Sequence, residues 1–422
     1  MNQQTNGSSR AIIIGGSVGG LFAAHLLRSI GWDVLVCERS AQNLAERGAA
    51  IAMTEELMQV LRGIGLGLDT SSGVVIKAVT GLDRSGRQIL NVRRRVFCSA
   101  WANVYRPLRE LLPDTCIRNG MTFARAIQDS DAVTAIFADG SELQGDLLIG
   151  ADGLNSTVRR QFLSEAQPRY AGYVAWRGII AERDVLEAER DFVFDHQIFS
   201  SAPREMILCV PIAPDEQSRR CCFVWYRSTD FDSELPRLCT DANGNCHGVS
   251  IAPTFIRREV IEALKADATR LFPPLVGRLV EQAAFPLFHT IFDLEVDRMI
   301  FGRAALIGDA AFVARPHVIA GVTKAALDAQ GLANQIKSCN GRLDSALSNY
   351  ESERVDFGRK IVAQARRMGR HLEPCNENGE TEMPQVRDLC EIVGDYARPY
   401  LLHDVIDDLT QPTSDNVAKL AG

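Results

Sequence analysis

Residues Arg10 to Glu38, RAIIIGGSVGGLFAAHLLRSIGWDVLVCE, constrain this chain more than any other stretch. Ala11 to Ile14 is a short apolar run, Leu21 to Ile30 has helical periodicity, and Val34 to Cys37 is a second apolar run closed by an acid, Glu38. Strand, glycine turn, helix and strand in this order form the dinucleotide-binding fingerprint in the context it requires. Gly15 makes the tight turn, Gly20 lets the helix pack close to the strand, and Glu38, 23 residues past Gly15, is placed for a pair of ribose hydroxyls. Ser17 stands where the middle glycine is usual, beside Val18. Its Cβ restricts the backbone's approach to a pyrophosphate, but its hydroxyl is a donor to phosphate. A purely structural glycine turn would need neither the following helix nor the terminal acid. The run Gly63-Ile64-Gly65-Leu66-Gly67 follows a helix, Glu55 to Arg62, and is read as its stop.

Two further segments end a strand in polar residues. Asp146 to Arg160, DLLIGADGLNSTVRR, gives a strand ending at Ala151, the turn Asp152-Gly153, and a short helix carrying Arg159. Gly302 to Ala329 gives a strand over Ala304 to Ile307, its exit at Gly308-Asp309, and a helix over Thr323 to Ile336. The connection through Pro316, His317, Gly321 and Val322 leaves unpaired N–H groups and the positive end of a helix dipole together, suited to a ligand that becomes negative. In a parallel sheet ligands gather at the carboxyl ends of strands, so Gly15, Asp152 and Asp309 are expected to meet. An ordinary turn would explain Asp152-Gly153 alone; it does not explain Asp309, Pro316 and His317 clustered in one connection.

At 422 residues and 46% hydrophobic composition the chain can bury a large core and should hold two domains. Its net charge of -7 is spread without long blocks, and the run Arg93-Arg94-Arg95 is read as a solvated strand or turn, so neither nucleic acid nor an anionic membrane is an expected partner. No apolar stretch approaches the roughly 18 residues of a membrane span, and the polar start, Met1 to Ser9, does not read as a secretion signal. Eleven cysteines without a Cys-x-x-Cys pair fit reduced thiols in a cytoplasmic protein. Cys239, Cys246 and His247 lack a fourth ligand at metal-site spacing, so no metal is expected. The middle of the chain changes character: Phe192 to Phe194, Met206 to Val210 and Cys221 to Trp225 read as strands of an antiparallel sheet. Helices follow over Arg257 to Phe272 and Leu343 to Arg367, then a polar link over Glu373 to Thr381 and an amphipathic helix over Val386 to Leu409.

Taken together, these motifs resemble the single-component FAD-dependent aromatic hydroxylases, the family with the para-hydroxybenzoate hydroxylase fold. Within it, GGSVGGL, YAGYVAWRG at Tyr170 to Gly178, CCFVWYR at Cys221 to Arg227 and Arg315-Pro316-His317 are similar to the 2,6-dihydroxypyridine 3-monooxygenase branch. The resemblance implies an α/β protein, α+β overall: a Rossmann-like FAD/NAD(P)-binding domain with an inserted antiparallel-sheet substrate domain and a helical C-terminal tail. The expected FAD-binding domain is discontinuous, over 1–75, 100–168 and 290–368, with the substrate domain over 76–99 and 169–289 and the tail over 369–422. Carried over, FAD contacts fall on Gly15, Ser17, Val18, Gly20, Glu38 and Arg39, on Arg47 in the loop after the second strand, on Asp152, Gly153 and Arg159, and on Gly308, Asp309, Pro316, Gly321 and Val322. The family's helix arginine appears as Tyr105 with Arg106 beside it, which leaves two candidates. Phe312 replaces a usual His, Ile319 a usual glycine and Thr323 a common Asn.

The implied activity is hydroxylation of an electron-rich, hydroxylated aromatic or N-heteroaromatic small molecule, with tightly but non-covalently bound FAD and with NAD(P)H and O2 as co-substrates, the oxygen being activated at flavin C4a. His317 is the candidate base for a substrate hydroxyl, because imidazole titrates near working pH. His196, Trp176 and Tyr226 are candidates for the substrate pocket. The alternatives are a flavin epoxidase or decarboxylating monooxygenase on the same fold, an NAD(P)-dependent dehydrogenase using only the first fingerprint, and a flavin-scaffold protein that binds an aromatic without turnover. A homodimer is left open.

Overall fold

The computed structural model describes residues 8–42, 44, 50–67, 72–213, 219–340, 342–373 and 388–397. One sheet runs in the order Ile300–Phe301, Ala304–Leu306, Leu147–Gly150, Arg10–Ile14, Asp33–Glu38 and Ile117–Asn119. Its pairings are parallel except for the hairpin of the first two strands. Ala11, Ile12 and Ile13 are fully buried, as strands covered on both faces require. The register sets Ile14 beside Cys37 and Gly150, and Gly150 beside Leu306, so four strands from distant parts of the chain stop level with one another. The helix Val18–Ser29 buries Leu21, Phe22, Ala23, Ala24 and Leu27 and packs against the helix Gly321–Ser338. Each of its large apolar side chains contributes about 1.5–3 kcal/mol to holding the fingerprint turn against the sheet edge.

The second sheet has eight strands, in the order Leu287–Asp293, Arg169–Ala181, Arg220–Ser228, Glu205–Ile212, His196–Ala202, Gly73–Leu82, Gln88–Ala100 and Ala50–Ala52. All pairings are antiparallel except that between His196–Ala202 and Gly73–Leu82. The sheet therefore reaches beyond 76–99 and 169–289, taking in Ala50–Ala52 near the start of the chain and the strand that ends at Asp293. A three-stranded meander, Phe123–Gln128, Val133–Phe137 and Glu142–Gly145, was not anticipated. Phe192 to Phe194 lies in the helix Glu187–Asp195, not in a strand: three apolar residues are too few to separate the two periods, and Glu187 and Glu189 supply the acids that favour a helical first turn.

The two faces of this sheet have different neighbours. On the outer face Val174, Trp176, Phe223 and Trp225 pack with Leu264, Ala268, Leu279 and Val280 of the helices Arg258–Leu271 and Pro274–Gln282. On the inner face Tyr173, Ala175, Met206, Leu208 and Tyr226 pack with Val318 and Ala320 and with the last turns of the helix Leu343–Gly369. The helix Leu389–Ala397 covers the far part of that inner face through Leu389, Ile392, Val393 and Tyr396. The expected tail helix thus packs on its own domain. Its continuation to Leu409, the link over 374–381 and Arg47 lie outside the described residues.

Candidate active site

Three strand ends converge at the edge of the parallel sheet. Gly15 N–H donates to Cys37 O (2.9 Å), Ala151 N–H to Ile14 O (2.8 Å) and Ile307 N–H to Gly150 O (3.0 Å). Gly15 sits at φ +112, where a side chain is strained, and a Cβ there would run into the Ala151 carbonyl. A Cβ at Gly20 would overlap the Gly15 carbonyl, so the helix approaches the strand as closely as a bare glycine allows. Ser17 is the N-cap of the helix Val18–Ser29, yet its side chain makes no capping bond, which leaves both the hydroxyl and the first helical N–H groups for a ligand. A cavity of about 350 Å³ opens there, lined by Gly15, Ser17, Glu38, Arg39, Asp152 and Gly153 among others. A second, of about 380 Å³, adjoins it along Gly16, Glu38 and Tyr105.

The polar residues at this edge divide into those facing the cleft and those that shape it. Glu38 accepts from Gly16 N–H and from Ser40 N–H, both at 2.8 Å, so it fixes the glycine turn while each oxygen keeps a lone pair toward the cavity. Asp152 accepts from Ser156 Oγ (2.5 Å) and from Thr157 N–H (2.7 Å), capping the helix Thr157–Phe162 from the preceding turn. Arg159 is not the cofactor contact its position implied. It is 1% exposed and donates to the carbonyls of Leu154, Ala166 and Ala310, clamping the Asp152 and Asp309 turns together. Tyr105 is buried against Trp101 (ring centroids 4.7 Å apart) and faces the second cavity, whereas Arg106, next to it on the helix Trp101–Leu111, is exposed.

Asp309 lies on the turn Gly308–Ala310, its side chain about half exposed, with Lys324 Nζ 3.8 Å away. Partial desolvation at the cleft raises its pKa, and the Lys324 charge opposes that. Behind it Asp328 accepts from Gly308 N–H (2.9 Å) and from Arg354 (2.8 Å), anchoring the turn. The helix Gly321–Ser338 begins at Ala320 with no side-chain cap and no acid in its first turn, so the N–H groups of Gly321 and Val322 are presented at an uncompensated positive end. Between Asp309 and this helix, Pro316 and Ile319 are half-buried while His317 and Val318 are buried. Ile319, which replaces a family glycine, keeps the left-handed conformation such a glycine would adopt, with φ 52 and ψ 24. For a β-branched residue that is local strain at the site.

His317 does not fit the role of substrate base. It is fully buried, with Nε2 bonded to Tyr173 Oη and Nδ1 to Tyr396 Oη, both at 2.7 Å, so neither ring nitrogen is left for a ligand. It joins the loop to the inner face and to the C-terminal helix. The neighbouring Arg315 reinforces that junction through Asp293 (2.9 Å) and Glu373, and Asp293 also binds Arg366 (2.6 Å). Tyr173, Tyr396, Arg315 and Asp293 escaped the sequence reading because their partners are 22 to 144 positions away. Only the adjacency of Arg315 to Pro316-His317 marked any of them.

Of the three pocket candidates, Tyr226 alone lies on the inner face, its ring 4.6 Å from that of His317 and edge-on to Tyr173. Burial pushes its phenol up to about 12. Trp176 points outward onto Phe288 and lines a separate cavity of about 330 Å³ beneath the helix Arg258–Leu271. His196 also points outward, edge-on to Phe192 and beside Arg93, Arg94 and Arg95. Neither belongs with Tyr226. Away from the cleft, His247 is bonded to Asp241 (2.9 Å), and among the described residues no group of His, Cys, Asp or Glu could hold a metal ion. No described helix is long and apolar enough to cross a membrane.

A Gly-rich turn without room for side chains, an uncapped helix start, an acid at the end of the second strand and a second uncapped helix past Asp309 together define a protein that holds an extended flavin dinucleotide beside an antiparallel sheet. Comparison with known proteins agrees. Residues 170–293 match the family model described as FAD binding domain-like. The chain is 32% identical over 373 residues to the 2,6-dihydroxypyridine 3-monooxygenase of Paenarthrobacter nicotinovorans, covering 87% of this chain and 92% of that one. It is 28% identical over 378 residues to an FAD-dependent urate hydroxylase of Klebsiella pneumoniae, covering 85% and 89%. The solved structure of 2,6-dihydroxypyridine-3-hydroxylase from Arthrobacter nicotinovorans superposes with a TM-score of 0.81 at 30% identity, covering 90% of this chain and 98% of that one. The chain belongs to the FAD-dependent aromatic monooxygenases, and is a flavoprotein monooxygenase using FAD, NAD(P)H and O2.

Proposed function

We propose that this enzyme hydroxylates an electron-rich, hydroxylated N-heteroaromatic ring of the hydroxypyridine type, in a catabolic role in the cytoplasm. The observation that carries this is that the likeness to the dihydroxypyridine enzyme spans the antiparallel sheet as well as the cofactor edge. In the proposed assignment, Gly15, Ser17, Val18 and Gly20 receive the pyrophosphate, and Glu38 and Arg39 the adenosine. Tyr105 walls the cleft, Asp309 accepts from the ribityl chain, and Pro316, Gly321 and Val322 meet the ring. Bound FAD supplies hydride acceptance from NAD(P)H and oxygen activation.

The chain's own residues supply the remainder. The N–H groups of Gly321 and Val322, with the helix dipole behind them, stabilise negative charge on whatever lies against them. Met206, Leu208 and Tyr226 on the inner face exclude water above that position. The His317 network holds Tyr173, the Pro316 loop and the C-terminal helix in one rigid junction, so the loop is not free to drift from the sheet. The described cysteines are free thiols, nearly all buried, in keeping with a reducing compartment.

The test is to purify the enzyme, supply NAD(P)H and screen hydroxypyridines for stimulated cofactor oxidation together with a product gaining one oxygen atom. A hydroxylated product supports the reading. An epoxide, loss of CO2, or NAD(P)H oxidation that no hydroxypyridine stimulates would overturn it.

A further inference from the structure

Arg177 is a charged group that the site as described does not use. It lies on the strand Arg169–Ala181, two residues beyond Ala175, and so shares the inner face with it. Ala175 is paired with Tyr226 on one side and His289 on the other, and Arg177 with Val224 and Leu287. Its guanidinium acts electrostatically on the Tyr226 phenol, the Cys222 thiol and the His289 imidazole, which places it among those three groups. Around it this part of the face is apolar, with Leu208, Val210, Cys222 and Val224 facing inward.

In those surroundings the Arg177 side chain makes no ion pair or hydrogen bond among the described residues, and its Nε is buried without a partner. By contrast Arg315, on the loop that packs against this face, is bound to two carboxylates. His289 is exposed at the strand surface, and partial desolvation first, with the Arg177 charge second, lowers its pKa. Arg177 is partly buried, its Nε carries the cost of an unmet donor, and the planar fork of its terminal nitrogens matches an anionic oxygen.

We propose that Arg177 is a substrate-specificity residue: it receives an anionic oxygen on the substrate, a carboxylate or a deprotonated ring hydroxyl, at the end of the ring directed away from the flavin. This deepens the hydroxylase reading and rests on it. It narrows the substrate class from hydroxylated N-heteroaromatics to those that bind as anions, with Tyr226 beside the same oxygen as a neutral donor.

The experiment is equilibrium titration of the oxidised holoenzyme, followed by perturbation of the flavin absorption, so that no turnover is required. The probes are 6-hydroxypyridine-3-carboxylate, its neutral carboxamide, and 2,6-dihydroxypyridine. In the native enzyme at least one anionic probe should bind about tenfold or more tightly than the amide. Arg177→Met should abolish that preference and leave amide binding and FAD content within about twofold. Arg177→Lys should restore part of it, and serves as the second variant should Arg177→Met fold poorly. Preference for the carboxylate identifies a carboxylate as the anchor; preference for 2,6-dihydroxypyridine identifies the ring oxygen. Discrimination unchanged in Arg177→Met, or no preference for either anion in the native enzyme, would overturn the proposal. If a hydroxypyridine is hydroxylated but no anionic preference exists, only the Arg177 assignment fails; if none is hydroxylated, the function itself fails.

Discussion

The edge of the parallel sheet and the inner face of the antiparallel sheet are built from different materials. At the edge the cleft is lined by backbone: glycines that admit no Cβ and two helix starts without side-chain caps. On the inner face the polar groups are side chains, Tyr226, Tyr173 and Arg177, brought together from two neighbouring strands by alternation and register. A backbone-built site is nearly independent of side-chain identity but intolerant of added volume. A site built on strand faces changes its preference with single substitutions, which is how one cofactor scaffold serves many rings.

That contrast is most severely tested at the edge. Gly20→Val forces a branched side chain into the Gly15 carbonyl, so the protein is expected to lose bound FAD by more than about 100-fold in affinity, read from the flavin absorbance of the purified variant. Asp309→Ala removes a charged acceptor from the cleft and should weaken FAD by about 10- to 100-fold in an equilibrium titration. FAD retained at native affinity in both variants would break the idea of a backbone-built cofactor edge. His317→Phe leaves Tyr173 and Tyr396 without their shared partner, and should cost about 2–3 kcal/mol in thermal or denaturant unfolding while FAD remains bound. A variant that melts like the native protein yet loses coupling of NAD(P)H use to product would return His317 to a chemical role.

Smaller effects sharpen the account of the sheet. Tyr226→Phe should raise the KM for a hydroxypyridine several-fold, whereas His196→Ala and Trp176→Phe should leave it within about twofold, since those side chains point outward. Ile319→Gly relieves a left-handed conformation in a β-branched residue, and should leave the melting temperature unchanged or raise stability by up to about 1 kcal/mol, the gain being offset in part by glycine's entropy.

The same contrast explains what could be read from the chain. The cofactor edge follows from short-range spacing: Gly15, Gly20 and Glu38 lie within one supersecondary unit, and strand and helix periodicity locates the Asp152 and Asp309 turns. The ion that balances each polar residue is not local. Arg159 looked like a cofactor ligand because it follows Asp152, but its guanidinium is consumed by three carbonyls, one of them Ala310, 151 residues away. On the inner face the difficulty is parity. Trp176 and Tyr226 sit on adjacent strands in nearly the same row, yet Trp176 pairs with Trp225 and Tyr226 with Ala175, so one residue of register puts them on opposite faces. The tail helix was expected from its amphipathic pattern, but its docking surface, which gives His317 its second tyrosine, depends on a fold no local pattern encodes.

The most direct test is to titrate 2,6-dihydroxypyridine into the oxidised Tyr226→Phe and His196→Ala enzymes beside the native one, following the flavin spectrum. The account predicts an oxidised FAD spectrum in all three and weaker ligand binding in Tyr226→Phe alone. Equal weakening in both variants, weakening only in His196→Ala, or no spectral response in the native enzyme would contradict a cofactor held at the sheet edge with its substrate on the inner face.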